Sequence, residues 1–347
     1  MPALKKVLLC ISSSKWGGGE RHVLDLMTGL SAYYDLTLLL EPGGLLEEKA
    51  RSQNLSIELH EFSRLPLTRS LPQLLAILQR IQPDGIHTHL NQASFQVALL
   101  RPLLACPILA TVHGFSSLLY YSMPHHLIAV SEAVEIFLKP WFSKKVTKIY
   151  NGIEALTPTN TRFLQREIPR AFVFATIHPN KGQEFVTSSL NGSDLKVQIT
   201  MIGRGRGDHE ASLHKAIDKF SGAPNLEWKP MTGELDSFWN VADFIIIPSY
   251  KEALSYVAIE ALSRGIPVLA AATGGLTEVF KHDEEGLFFA PGDPLSFRGA
   301  LQEMIQKHNL YRRNLATQPF LGRHPQFQLD TMLQQTKTLY QKVFKLP

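Results

Sequence analysis

Two glutamates separated by seven residues, Glu252 and Glu260, stand in the stretch PSYKEALSYVAIEAL at 248–262. The run FIII just before it, at 244–247, is wholly apolar, as in a parallel strand buried on both faces. From Ser255 onward the spacing is helical, up to Gly265. This places Glu252 in the turn outside the carboxyl end of a strand and Glu260 on the second turn of the following helix. Ligands of open α/β sheets sit at that edge. A helix start adds N–H groups without intrahelical partners and a positive dipole end, both favourable for phosphate. Carboxylates that accept hydroxyl protons, beside amides that hold an anion, suit a sugar nucleotide.

The elements needed to hold these groups recur along the chain. Strand patterns fall near 6–12, 35–41, 56–61, 84–90, 107–113, 126–130 and 146–150, with helices near 20–32, 44–53, 71–82, 92–104 and 132–142. After a polar stretch containing Pro and Thr the alternation restarts, with strands near 171–177, 196–202, 226–229, 244–248, 267–271 and 287–289. Repeated β-α alternation predicts doubly wound parallel sheets. The 347 residues exceed one ordinary core, so two domains are expected. We place an N-terminal Rossmann-like domain at 1–154, a linker at 155–169, a second Rossmann-like domain at 170–325 and a terminal helix at 326–347. Leu329, Met332, Leu333, Leu339, Tyr340 and Val343 recur at helical spacing in that last segment.

The bulk composition narrows the classes. With 44% hydrophobic and 19% charged residues the chain reads as a soluble globular protein, and a net charge of +4 does not mark a nucleic-acid binder. Its two cysteines, Cys10 and Cys106, are expected to be buried free thiols in a reducing compartment. The first apolar run is too short for a signal or membrane segment, and the apolar segment 95–112 is interrupted by Arg101, Pro102 and Pro107. A cytoplasmic location is expected.

Several motifs together resemble the retaining GT-B glycosyltransferases of family 4 (group 1). Glu252 and Glu260 after Pro248 and Ser249 resemble its E-x7-E signature. RGIPVL at 264–269, TGG at 273–275, EEGL at 284–287 and PGD at 291–293 follow in the family's order. Gly17, Gly18, Gly19 and Glu20 resemble its G-G-x-E loop, which borders the donor phosphate and the acceptor. Glu20 itself fits a helix start balancing the dipole. His113-Gly114 matches the V-x-H-G position, and Ser131 and Asn151-Gly152 match the V-S-x and N-G-I elements. Lys181-Gly182 falls at the lysine that contacts the donor diphosphate, and Gly203-Arg204-Gly205 at the G-x-G turn.

The resemblance implies an α/β GT-B fold, two Rossmann-like domains facing a cleft, with the terminal helix crossing back to the first. It also implies roles. Glu260 accepts the ribose hydroxyls and Glu252 contacts the donor sugar. Lys181, the amides around Leu254 and Ser255, and the Gly17 and Gly18 loop hold the diphosphate, with Gly203, Arg204 and Gly205 beside them. His113 approaches the sugar from the first domain. The activity implied is retaining transfer of a sugar, most simply a UDP-linked one, to a hydroxyl of a glycan or glycolipid such as lipopolysaccharide, without metal or other cofactor. No Asp-x-Asp pair occurs in the sequence. Four histidines cluster at strand ends, His87, His89, His113 and His22, and His87-Thr88-His89 invites a metal reading, since alternate strand residues point to one side, but the resemblance implies an enzyme without a structural metal and nothing else completes a coordination set. No metal is therefore expected.

Two departures bear on function. Thr176 stands where the family carries a phosphate-binding arginine, and Arg204 or Arg206 is the candidate replacement. Ala253-Leu254-Ser255 replaces the two glycines common after the first glutamate. These departures make a non-catalytic nucleotide-binding protein the alternative, beside a GT-B epimerase or sugar-phosphate synthase. Basic and aromatic residues mix at 62–70 and 139–145, a composition that suits peripheral contact with the inner, anionic face of a membrane.

Overall fold

The computed structural model describes residues 4–62, 65–156, 166–205, 208–231 and 235–345. The chain divides into two compact units, residues 1–152 with 326–347, and residues 153–325.

The first unit alternates β1 (Lys6–Ile11), α1 (Gly18–Gly29), β2 (Asp35–Leu40), α2 (Leu45–Ser52), β3 (Ile57–Leu59), α3 (Leu67–Ile81), β4 (Gly85–His89), α4 (Asn91–Leu99), β5 (Ile108–Val112), β6 (His126–Ala129), α5 (Glu132–Phe142) and β7 (Val146–Lys148). Its strands form one seven-stranded sheet in the order β3-β2-β1-β4-β5-β6-β7, every pair parallel. Parallel neighbours need helical crossovers, which cover both faces. Side chains of β1 accordingly divide by parity: Val7, Leu9 and Ile11 pack with α1 residues such as Val23 and Met27, and Leu8 and Cys10 with Leu78 and Val97. Cys10 is buried, whereas Cys106 is only partly so, short of the burial its sequence suggested.

In the second unit follow β8 (Arg170–Phe174), α6 (Gln183–Leu190), β9 (Gln198–Gly203), α7 (Asp208–Asp218), β10 (Asn225–Pro230), α8 (Asp236–Trp239), β11 (Phe244–Ile247), α9 (Tyr256–Ser263), β12 (Val268–Ala271), β13 (Gly286–Phe289), α10 (Pro294–Thr317) and α11 (Phe320–Arg323). The six strands run β10-β9-β8-β11-β12-β13, again all parallel. The long helix α10 starts where Asp293 accepts from the Leu295 and Ser296 amides at 2.9 and 3.2 Å, with Pro294 at its first position. Behind β13, the carboxylate of Glu285 is buried. It accepts from the Lys281 amide at 3.0 Å and meets Arg323 Nη2 at 2.7 Å and His324 Nε2 at 3.0 Å.

The last helix, α12 (Leu329–Phe344), belongs to the first unit. Met332, Leu339, Tyr340 and Phe344 are buried in the same cluster as β1 and α1. Two glycines make room for it, since a Cβ at Gly29 would collide with Leu333 and one at Gly85 with Phe344. Tyr340 also serves a polar purpose. Strand β4 carries His87 into the interior, and there the Tyr340 hydroxyl lies 2.7 Å from His87 Nδ1 while Thr111 Oγ1 lies 2.7 Å from Nε2. Burial holds the His87 ring neutral, with a pKa lowered to about 3, so its two nitrogens need one donor and one acceptor.

Tyr340→Phe keeps the ring but strands one buried imidazole nitrogen, and the first unit should lose about 1–3 kcal/mol in urea unfolding. For Glu285, burial alone would raise the carboxyl pKa, but His324, the Lys281 amide and Arg323 outweigh it and hold the group below its ordinary 4.5. A depressed carboxylate contributes stability above its unfolded pKa and loses it as pH falls through the folded value. Unfolding of the second unit, followed from pH 6 down through the carboxylate range of about 4.3, should therefore weaken on acidification, and less so in Glu285→Gln.

Candidate active site

In each sheet the strand order reverses once, between β1 and β4 and between β8 and β11. Crossovers leave such a point toward opposite faces, so the loops beyond the strand ends part and leave a crevice. In the second unit those loops are 175–182 and 248–255. Lys181 closes the short turn Pro179–Lys181, which His178 opens by accepting the Asn180 amide on Nδ1 at 3.2 Å. Gly182 then turns the chain into α6 with φ +72°, and a Cβ there would strike the Pro248 carbonyl. The loops are tied together by Tyr250 N–H donating to Asn180 O at 2.9 Å. Gly275 N–H holds the Glu252 carbonyl at 2.9 Å, and Thr273 Oγ1 holds that of Tyr250 at 3.0 Å.

The result is a close ion pair across the reversal: Lys181 Nζ stands 2.7 Å from Glu252 Oε2, with their side chains 30% and 14% exposed. Ser255 caps α9 by accepting the Ala258 amide at 3.3 Å. The amides of the first turn thus face outward from the helix start, beside the pair. Leu254 and Ser255 are buried and Glu260 is half-buried on the second turn of α9. The Gly203–Gly205 turn lies against the Lys181 loop. Ala175 N–H donates to Ile202 O at 3.1 Å and Ile177 N–H to Arg204 O at 3.0 Å, and a Cβ at Gly203 would collide with the Ala175 carbonyl. Arg204 is exposed and donates Nε–H to Met231 O at 2.8 Å, while Arg206 lies outside the described residues. Thr176 is exposed, and its carbonyl accepts from Gln183 Nε2 at 3.0 Å.

In the first unit the same reversal collects the other expected residues. Gly17, extended at φ −167°, caps α1, Gly18 is its first residue, and Glu20 in the first turn is buried. An added Cβ at Gly19 would lie 3.8 Å from the His113 ring, so the glycine loop and the end of β5 adjoin. His113 Nε2 is 3.2 Å from His89 Nδ1, and its ring centroid is 5.0 Å from that of His22. Burial lowers the His113 pKa to about 4. His22 and His89 are also pushed down, by burial first and then by neighbouring histidines, so this cluster is uncharged at neutral pH. Ser131 caps α5 by accepting the Val134 amide at 3.2 Å. Gly152 passes so close to Gln328 and Leu329 that no side chain fits there.

Tyr250 was not expected in a site, yet it borders a cavity of about 180 Å³ with Ile177 and His178 of the Lys181 loop, Gln183 of α6 and His209 of α7. A wider surface cavity of about 510 Å³, between α6 and α7, also reaches Tyr250 but lies away from the ion pair. The only advance signal was its place two residues before Glu252. Of the basic and aromatic stretches, Ser63 and Arg64 lie outside the described residues, as do residues 157–165 of the expected linker. Trp141 and Ile136 on α5 are 68% and 63% exposed.

Two parallel-sheet units, each with its polar residues gathered at the strand-order reversal, define a nucleotide-binding type of α/β protein. Residues 16–155 match the model of Glycosyltransferase Family 4 and residues 165–318 that of Glycosyl transferases group 1. The chain belongs to this family. It is 26% identical over 248 residues to an uncharacterized glycosyltransferase of Methanocaldococcus jannaschii, covering 65% of this chain and 67% of that protein. Its fold is the GT-B fold of solved glycosyltransferases. HepE of Anabaena, in complex with UDP and glucose, superposes with a TM-score of 0.83 at 20% identity, over 97% of this chain and all of that one. A lipopolysaccharide outer core galactosyltransferase, WaaB, superposes at 0.72 with 14% identity, over 96% of this chain and 100% of that one.

Gly182→Ala should cost more than about 1 kcal/mol in the second unit, because a left-handed residue gains a Cβ aimed at backbone. The same substitution at Gly192, also left-handed but with open space around it, should cost less. Chemical denaturation of both variants measures the difference.

Proposed function

We propose that this glycosyltransferase moves a sugar from a UDP-linked donor, with retention of configuration and without metal, to a hydroxyl of a glycan or glycolipid of the lipopolysaccharide kind. The observation that carries this reading is the Lys181–Glu252 pair across the β8/β11 reversal, 2.7 Å apart beside the start of α9. A diphosphate bound there meets a compact cation and the positive end of a helix. When the glycosidic bond to the diphosphate breaks, charge grows on the leaving oxygens, and fixed donors stabilise it without reorganising. Phosphate competes with Glu252 for the lysine. Donor binding thus turns the carboxylate from its partner toward the sugar hydroxyls.

Glu260, one helical turn further along α9, takes the ribose hydroxyls. The roles of His113 and of the Gly17–Gly18 loop are carried over from the family. Arg204 keeps its terminal guanidinium nitrogens beyond the Met231 contact and supplies the positive charge missing at Thr176. The UDP preference draws on the UDP complex of HepE, and the acceptor class on the likeness to WaaB. Exposed Trp141 and Ile136 beside Lys139 on α5 support a cytoplasmic enzyme that rests against a membrane holding that acceptor.

The test is a thermal-shift series with UDP-, GDP-, ADP- and CMP-sugars on the parent chain and on Glu260→Ala. A UDP-sugar at 100 times its Kd should stabilise the parent by about 2.7 kcal/mol and the variant by far less. Slow release of free sugar from the same donor should accompany binding. Equal shifts in both proteins would remove Glu260 from the site, and binding without any donor hydrolysis or transfer would leave a nucleotide-binding protein in place of an enzyme.

A further inference from the structure

The histidines at the β1/β4 reversal differ in one respect that their sequence did not show. Both nitrogens of His87 are engaged, by Tyr340 and Thr111, so it has no lone pair to offer. His22 is the opposite case. It is 1% exposed, and neither of its ring nitrogens has a hydrogen-bond partner. His89, wholly buried, uses Nδ1 toward His113 and leaves Nε2 without a partner. Asn151 lies beside this cluster, and its Oδ1 is buried without a hydrogen bond of good geometry. Four buried polar atoms in one place without well-formed hydrogen bonds is a costly arrangement that a ligand would relieve.

We propose that His22, His89 and His113 form a three-nitrogen site for a divalent cation of the zinc class. One ligand nitrogen from each lies within 4.8 Å of the others. Tetrahedral coordination at about 2.0–2.1 Å sets neighbouring nitrogens roughly 3.3 Å apart. The His89 Nδ1 to His113 Nε2 separation, 3.2 Å, already meets that spacing; the cation replaces the hydrogen bond between them, with any proton on His89 Nδ1 moving to the unpartnered Nε2, and His22 closes on it by turning its ring. Imidazole nitrogens without carboxylates favour zinc, copper or nickel over magnesium or calcium. A water in the fourth position would give Asn151 Oδ1 the donor it lacks.

The proposal reaches beyond sugar transfer, for which we propose no cation, and it departs from the expectation of no metal: His22, from α1, and His113, at the end of β5, stand as the further ligands beside His89. The pair that the sequence suggested, His87 with His89, is replaced because His87 is spent on Tyr340 and Thr111. Because His113 is shared, a bound cation and the donor sugar compete for it.

Binding is measured first, independently of activity. The full chain, stripped with chelator and dialysed against Zn²⁺, should take up one ion per chain, and Co²⁺ in its place should give the visible absorption of a tetrahedral nitrogen site. His22→Phe should weaken the affinity by more than the roughly 10–100-fold that loss of an outer partner costs, whereas His209→Ala in the second unit should not change it. Thermal melting guards against a folding artefact. Without metal, His22→Phe should melt no lower than the parent, having lost two unpartnered buried atoms, and zinc should raise the melting temperature of the parent alone. Zinc uptake that persists in His22→Phe, or no stoichiometric uptake by the parent, overturns the site.

Discussion

A parallel sheet cannot reverse its strand order without parting two loops, and both units depend on that constraint. At β8 and β11 the parted loops are held apart yet tied, by the Tyr250–Asn180 backbone bond and by Gly182 packed on the Pro248 carbonyl. Between them a lysine and a glutamate neutralise each other. The pairing has a plain rationale: a half-exposed ammonium beside a helix start would otherwise face a positive dipole end alone. An anionic ligand can take over the role of the carboxylate without the lysine ever losing a counter-charge. Rigid backbone fixes the loops, and only two side chains need to exchange partners.

The first unit applies the same topology to different chemistry. At the β1/β4 reversal a nest of neutral imidazoles lies under a glycine loop. Strand β4 is the reason. In a sheet covered on both faces its residues must be buried, and its sequence is GIHTH. The first histidine is absorbed by the structure through Tyr340 and Thr111, and the second is left facing the loop end with His22 and His113. Polarity at the strand's exit, where ligands bind, is thereby obtained inside an otherwise apolar layer.

Much of the fold could be read from the sequence because β-α alternation is a strong periodic signal. Every expected strand has its counterpart, and the turn–helix placement of Glu252 and Glu260 agrees with the start of α9 at Tyr256. What could not be read depended on contacts between distant residues. Lys181 and Glu252 are 71 positions apart, and nothing local announces that they pair. His22 could be grouped with the other histidines from sequence, but its burial, on a helix whose partner strand lies some 65 residues further on, shows only in the fold. The terminal helix showed its periodicity plainly and the family resemblance implied its return to the first domain, but the contacts that seat it there depend on Gly29 and Gly85, whose missing side chains give Leu333 and Phe344 their places.

That location has a consequence for how the chain is made. The second unit is one continuous segment and holds all of its own parts once residue 325 has been synthesised. The first unit, although translated first, waits for Tyr340 and Phe344 to close its hydrophobic layer, so it must persist as an open, partly covered sheet while some 170 residues are added at about 5–20 per second. Birth order and completion order are inverted. The half of the enzyme that carries the histidine cluster is the half whose maturation is gated by residues 326–347.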